Sequence, residues 1–323
     1  MEFGMDALWI IGGFYILIKM SFVHFNSNEL NELLDQLDEL HEELNNEPGQ
    51  AAAYEQRAWY FQIESGLAII WHCGLGLFNL LVISLPLWTQ QKLPFHAVYP
   101  FSLQDPDKHP YGHVFVFIWQ CLSFSYNLIG VVEVDVITSH MFPQLAANLK
   151  VLCVKLQSFA PEFQNNKQRF DAELKCLIQF HQRVITHVNR TNKVLYVPQI
   201  AQITSGFLQI CLSAFVSLAV KNNPAVYKFI LFLVLSLGYV SYWCALGNMV
   251  TSQSMEVAAA AWGTVEYAPF SREIQRNIAF MLQRAQIPLL IQAPPFPPIN
   301  RASNMYLFKQ SYSILTVLLN TLD

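Results

Sequence analysis

Apolar residues fall into six long runs along this chain, and charged and amide side chains concentrate between them. An α-helix rises 1.5 Å per residue, so about 20 residues cross the roughly 30 Å hydrocarbon core of a bilayer. The pattern therefore predicts an all-α polytopic membrane protein with about six spans, of which the first and last are near the minimum length. The runs cover roughly residues 7–22, 63–87, 113–138, 194–220, 226–250 and 304–322.

The segments between the runs also carry helical periodicity. Residues 28–44 place leucines on one stripe, which predicts an acidic amphipathic helix. Residues 139–190 continue a helical pattern that breaks near Pro161, and residues 254–291 hold two helix-prone stretches before the sequence APPFPP. We interpret these segments as a helical cytoplasmic region, with independent surface helices as the alternative.

Lysine and arginine are distributed unevenly between the two sides of the predicted bundle. The segments after runs one, three and five hold 13 of them, and the opposite side holds four. Because positive residues favour the cytoplasm, the basic segments should be cytoplasmic and the C-terminus outside. Six spans would also put the N-terminus outside, so we expect a first helix to be missing. Asn189, in the only N-glycosylation sequon, lies in a basic segment and should stay unmodified.

Composition narrows the class of function. The chain has 323 residues, of which 53% are hydrophobic and 13% charged, with a mean hydropathy of +0.29 and a net charge of −4. The small net charge argues against a nucleic-acid partner. The six cysteines have no CxxC spacing, which supports neither a disulfide framework nor a metal site. Nothing in the sequence matches a catalytic triad, a phosphate-binding loop or a metal cluster, so we predict no enzyme and no cofactor.

A polar stripe runs along the last apolar run. Its members follow one another at helical spacings of three and four residues: Gln310, Ser313, Thr316 or Val317, then Asn320 and Thr321. Polar side chains in hydrocarbon need protein or water beside them. The stripe therefore predicts a helix that faces a bundle interior or a water-filled pathway, as in a channel.

Three sequence blocks follow one another in the C-terminal third: YWCALGNMVTSQSMEVAAAAW, FMLQRAQIPLLIQAPPFPPIN and MYLFKQSYSILTVLLNTLD. Together they resemble the insect odorant receptor family. Upstream, LIKMSFVHFNSNELNELLDQLDEL is similar to that family's second span and the helix after it. The resemblance covers nearly the whole chain, leaves the family's first span absent, and implies a seven-transmembrane bundle with its N-terminus inside.

The resemblance implies a function. Such a tuning subunit forms an odorant-gated, non-selective cation channel as a hetero-tetramer with a shared co-receptor, surrounded by membrane lipid in the plasma membrane of a sensory dendrite. The family's gate and pore positions fall on Val317, Asn320 and Thr321, with Thr316 beside them. Residues 1–252 then form the ligand-binding bundle, residues 253–303 a cytoplasmic helical assembly region, and residues 304–323 the final pore-lining helix.

The expected ligand is a small, volatile, hydrophobic molecule, so its site should be an aromatic-rich cavity with few polar groups. Tyr239 and Tyr242 match a pocket spacing of the family and are the first candidates. Trp71, Phe14 and Tyr15 are the others. For any single aromatic residue, contact with lipid or with the core is the competing interpretation.

Two acids, Glu133 and Asp135, lie toward the inner end of run three. Acids inside a membrane are candidates for function by default. Because a basic segment follows, we prefer a structural pairing with one of its Lys or Arg residues. His72 and His113 are single histidines without metal-ligand spacing and are interpreted as ordinary polar residues.

Three other classes of membrane protein remain as alternatives. A gustatory receptor is the nearest, but Leu318 and Leu319 stand where that family's final helix has QF after Tyr312. A G-protein-coupled receptor needs the opposite orientation, and the chain has no DRY-like or NPxxY-like motif at the corresponding positions. A transporter would need inverted repeats with broken helices, and no internal symmetry is visible.

Overall fold

A computed structural model describes residues 2–43, 50–88, 93–95, 97–219, 226–269 and 271–320. These residues are mostly helical. The helices are α1 (Glu2–Glu43), α2 (Gln50–Trp88), α3 (Pro110–Phe163), α4 (Lys167–Val194), α5 (Tyr196–Ala219), α6 (Val226–Gly263), α7 (Arg272–Ala285) and α8 (Arg301–Asn320), with short 3-10 helices at Pro100–Ser102 and Thr264–Tyr267. The link between runs four and five, at residues 220–225, lies outside the described residues.

Five helices are long and apolar enough to cross a membrane, by length and composition, within the part of the chain that the structure describes: α1, α2, α3, α5 and α6. The sixth predicted span is the 20-residue helix α8, whose polar stripe keeps it out of this set. Much of each apolar window is left uncovered within this single chain, as lipid-facing helices require. The chain is therefore a multi-pass membrane protein.

Several spans continue without interruption beyond the bilayer. α3 has 54 residues and joins run three to the first part of the basic segment, ending just after Pro161. α1 joins run one to the predicted amphipathic helix, with a local departure from helical geometry at Asn26. On that extension Leu30, Leu33, Leu37 and Leu40 are buried, as the stripe predicts, and Leu34 is half-buried.

α3 lies at the centre of the bundle, where it packs most extensively against α6 and α2. Its second half is almost wholly enclosed, because α4 covers it on one side and α1 on another. We call this end of the molecule, built around α4 and α7, the basic end. Its core is continuous with that of the membrane-spanning part, so the basic end is a packed region rather than a set of independent helices.

Helix α4 is fixed at the basic end by burial on one face and ion pairs on the other. Asn166 caps its N-terminus by accepting a hydrogen bond from the Arg169 backbone N–H at 3.2 Å. Arg190 forms an ion pair with Glu32 of α1 at 2.5 Å, and Lys175 reaches Glu273 of α7 at 2.9 Å. Since exposed pairs stabilise little, they mainly define how α4 sits between α1 and α7.

Two histidines of α4 are buried. His181 and His187 are 4% and 3% exposed, and the ring nitrogens of His187 have no hydrogen-bond partner among the described residues. Burial, aided by the charge of Arg284 for His181 and of Arg190 for His187, lowers the pKa of each to about 4. Both are therefore neutral at pH 7.

The segment between α7 and α8 is attached closely to the bundle. The Asn192 side chain donates to the Leu290 carbonyl at 2.7 Å and accepts from the Gln292 N–H at 3.1 Å. Gly247 of α6 lies against this segment, since a Cβ added there would be 2.1 Å from the Ile299 carbonyl oxygen. Glycine is thus required where the chain passes α6 on its way to α8.

Candidate ligand cavity and pore helix

A cavity of about 550 Å³ lies inside the half of the bundle that is opposite the basic end. Residues of α1, α2, α3, α5 and α6 line it, and Phe95, Ala97 and Tyr99 of the segment before α3 close one side. Most of its lining is apolar, and a volume of this size suits a small organic ligand. The alternating directions of the helices place the N-terminal part of α1 beside the C-terminal part of α2.

Aromatic rings form the wall of the cavity. Trp9 is central to them: its ring lies 4.7 Å from that of Phe95, in an edge-to-face arrangement, and 6.0 Å from those of Phe124 and Phe232. Phe78 lies 5.3 Å from Phe232. Ring pairs at these distances hold one another in place, so the wall is largely formed before a ligand enters.

A charged and hydroxyl-bearing cluster forms the inner end of the cavity. Lys19 of α1 pairs with Asp135 of α3, and each side chain is 1% exposed. The Lys19 ammonium also donates to the Tyr239 oxygen at 3.0 Å, and the Tyr239 hydroxyl donates to Asp135 Oδ2 at 2.9 Å. Tyr15 hydrogen-bonds to Tyr239, and Trp71 stacks on the Tyr239 ring at 4.8 Å.

The partner of Asp135 differs from the one predicted. A buried charge is tolerated when an opposite charge and hydrogen bonds compensate it. The pairing was predicted with the basic segment after run three, but the partner is Lys19 of run one, because α1 passes beside α3 at the depth of Asp135. Glu133 lies on the exposed side of α3. Lys19 is the only charged residue of run one and Asp135 is one of two acids in run three, so the sequence marks both as candidates for pairing but does not pair them with each other.

A second polar group closes the other end of the cavity. Gln120 of α3 is 6% exposed, and its amide nitrogen donates to the Phe95 carbonyl at 3.2 Å and to the Tyr99 hydroxyl at 3.1 Å. Its amide oxygen accepts from the Phe95 N–H at 3.1 Å. Gln120 thus fastens the segment before α3 over the aromatic wall. Gln120 is not among the residues predicted from the sequence, although it is one of only two amides, with Asn127, in run three.

The structure brings together three of the five predicted ligand residues. Tyr15, Trp71 and Tyr239 all line the cavity around the charged cluster. Phe14 points away from it and is 63% exposed on the outer surface of α1. Tyr242 is not in the lining; it packs beside Trp243, with ring centroids 5.8 Å apart.

Helix α8 packs against α5 and α6 by one face and leaves its predicted pore face uncovered. Ser303, Leu307 and Ser311 are buried, and Asn304 donates to Ser241 of α6 at 3.1 Å. The residues of the polar stripe lie on another face. Gln310, Ser313, Val317 and Asn320 are exposed, Thr316 is half-buried, and Thr321 lies outside the described residues.

Comparison with known proteins decides the family. The model of the 7tm Odorant receptor family matches residues 1–312. Odorant receptor 65a of Drosophila melanogaster is 34% identical over 99% of this chain and 77% of its own length, and odorant receptor 47b of the same species is 32% identical over 98% and 77%.

This chain belongs to the insect odorant receptor family.

The fold agrees with that membership. The solved structure of the insect olfactory receptor OR5 from Machilis hrabei, in complex with eugenol, superposes with a TM-score of 0.77 at 17% identity, covering 95% of this chain and 78% of that one. The expectations of an odorant receptor subunit and of a receptor rather than an enzyme are therefore confirmed. The predicted all-α receptor bundle is confirmed as well.

Proposed function

We propose that this odorant receptor is the tuning subunit of an odorant-gated, non-selective cation channel, and that it assembles with a shared co-receptor into a hetero-tetramer. The ligand enters the 550 Å³ cavity and contacts Tyr15, Trp71 and Tyr239. The receptor acts in the plasma membrane of a sensory dendrite, with lipid around the bundle. The eugenol complex of the Machilis hrabei receptor supports a small organic ligand.

The observation that carries the channel proposal is the uncovered polar face of α8. A helix that packs within its own subunit by one face needs water or another subunit on a polar second face. Asn320 is exposed at the end of the described helix, and Val317 is 61% exposed one turn before it. Around an axis shared with the pore helices of the co-receptor, Val317 would contribute to an apolar ring that can dewet and close, and Asn320 and Thr321 would contribute polar groups at the outer mouth.

Each of the three segments predicted from the sequence has its own role in this channel. Residues 1–252 bind the ligand, residues 253–303 assemble the subunits, and residues 304–323 line the pore. The helices α6 and α8 run through the boundaries at 252/253 and 303/304. A displacement of α6 at the cavity would therefore be transmitted along one rigid helix to the region beside α7 and the start of α8.

Expression with and without the co-receptor tests this function. Cells carrying both subunits should give odorant-evoked cation currents across a broad panel, and the co-receptor alone should lack the responses that this subunit adds. Responses that need no co-receptor and disappear when G-protein signalling is blocked would overturn the channel proposal and favour the G-protein-coupled alternative.

A further inference from the structure

The charged cluster at the inner end of the cavity fixes where each hydroxyl proton points. Asp135 is paired with the Lys19 ammonium, so it is a carboxylate and only accepts hydrogen bonds. The Tyr239 hydroxyl, 2.9 Å from Asp135 Oδ2, must therefore donate to it. A phenol has a single hydroxyl proton, so Tyr239 cannot donate a hydrogen bond to any other group.

The same reasoning identifies the donor in the hydrogen bond between Tyr15 and Tyr239. The Tyr239 oxygen accepts from Lys19 at 3.0 Å and has no proton left to offer. In the contact between the two phenols, Tyr15 must consequently be the donor. Its oxygen keeps unused acceptor capacity, because no donor to it is found among the described residues. Tyr15 lines the cavity, so this end of the site presents an acceptor.

The neighbouring groups add one free donor and one further acceptor to this end of the site. The indole N–H of Trp71 is buried and has no hydrogen-bond partner among the residues described, although Trp71 also lines the cavity. The Ser236 hydroxyl donates to the Phe232 carbonyl at 2.8 Å and so retains only acceptor capacity. The amide of Gln209 lies nearer the N-terminal end of α1, beside Gly12, and that of Gln120 is already bonded.

We propose that the ligand of this cavity carries a hydroxyl group, as an alcohol or a phenol, whose O–H donates to the Tyr15 oxygen while its apolar body lies among the aromatic rings. A hydroxyl is the simplest group that donates to Tyr15 and can accept from Trp71. An ether or ester only accepts and leaves the Tyr15 oxygen unpaired. A carboxylate would be repelled by the lone pairs of the Tyr15 and Ser236 oxygens, and Lys19 cannot compensate its charge because Lys19 is already paired with Asp135. This inference rests on the proposed function.

Isomeric alcohol–ether pairs test it, since their members have equal numbers of heavy atoms. Currents are recorded from cells carrying this receptor and the co-receptor, using 1-octanol against 1-methoxyheptane and 4-propylphenol against 4-ethylanisole. In the wild type, the alcohol or phenol should act at about tenfold lower concentration than its ether, the difference expected for one hydrogen bond in a dry site.

Tyr15→Phe keeps the ring and removes the acceptor. It should raise the half-maximal concentration of the hydroxyl compound about tenfold and leave that of the ether nearly unchanged, with surface expression measured alongside. Tyr126→Phe, at an exposed position of α3, is the matched control and should preserve the difference.

Equal potency within both pairs in the wild type would overturn the inference, whether or not Tyr15→Phe reaches the surface, and would leave the odorant-gated function intact. A surface-expressed Tyr15→Phe receptor that keeps the full hydroxyl preference would also overturn it. If no odorant in a broad panel evokes a current, the proposed function itself fails, and the hydroxyl inference fails with it.

Discussion

Removing only one charge of the buried Lys19–Asp135 ion pair should destabilise this receptor far more than removing both charges. Lys19 and Asp135 are each 1% exposed, so a charge left alone there has no access to bulk water. Removing one partner of such a pair costs about 3–5 kcal/mol, whereas replacing both can be nearly neutral. Lys19→Met and Asp135→Asn should each remove a large part of the free energy of unfolding, which is about 5–15 kcal/mol in a typical protein. The double variant should regain most of that loss.

A thermal melt of the detergent-solubilised receptor, followed by size-exclusion fluorescence, measures this effect. Each single variant should lower the midpoint by roughly 5–10 °C, and the double-mutant cycle should give a coupling energy of about 3 kcal/mol. Lys175→Met, which removes the exposed pairs with Asp171 of α4 and Glu273 of α7, is the matched control and should change the midpoint little, because exposed pairs stabilise little. Losses that simply add in the double variant would refute the idea that the two charges depend on each other.

Other parts of the molecule give sharp expectations too. Tyr239→Ala should shift agonist dose–response curves right by about tenfold or more, normalised to surface expression, because ring contact worth about 1–3 kcal/mol is lost. Tyr242→Ala, outside the lining, should shift them much less, and equal shifts would contradict this placement of the site. Gly247→Ala should abolish surface delivery or current, since its Cβ would lie 2.1 Å from a backbone carbonyl before α8, whereas Gly238→Ala has open space and should be tolerated; a functional Gly247→Ala receptor would disprove that close approach. In α4, the unfolded chain takes up a proton at His187 near pH 6.5 and the folded chain only at about 4. The stability that depends on a neutral His187 is therefore complete above pH 6.5 and falls by about 3 kcal/mol as the pH drops to 4. His187→Gln should flatten the acid side of the melting-midpoint curve, and an unchanged curve would count against the buried neutral histidine.

The sequence was most informative about the architecture. Hydropathy located the spans because a helix must satisfy its backbone inside lipid, and the leucine stripe of residues 28–44 located the extension of α1. The sequence did not show that α1 and α3 each continue as one helix from an apolar run into the polar segment after it. The change from apolar to polar residues marks the membrane surface, but it does not mark the end of a helix. Mean hydropathy alone does not place α8 among the spans, because its polar stripe lowers the value.

The cavity was harder to predict. Run one is apolar on all sides, so periodicity cannot tell which of the adjacent residues Phe14 and Tyr15 faces inward. Tyr239 and Tyr242 are neighbours on one side of α6, yet the edge of the cavity falls between them. The pairing of Lys19 with Asp135 depends on the depth at which α1 meets α3, and a hydropathy pattern carries no information about that depth.

The reversal potential of the odorant-evoked current tests the central claim most directly, namely that α8 lines the pore of an odorant-gated channel. Cells should carry Asn320→Asp or Val317→Ser together with the co-receptor. When external Na⁺ is replaced by Ca²⁺, the reversal potential of the Asn320→Asp channel should be more positive than that of the wild type, because the added acids at the outer mouth attract Ca²⁺. Val317→Ser should add current in the absence of ligand, because a polar side chain wets the closed gate. Both changes should be partial, because the co-receptor supplies the other pore helices. If both variants reach the surface and conduct as the wild type does, then α8 of this subunit does not line the pore.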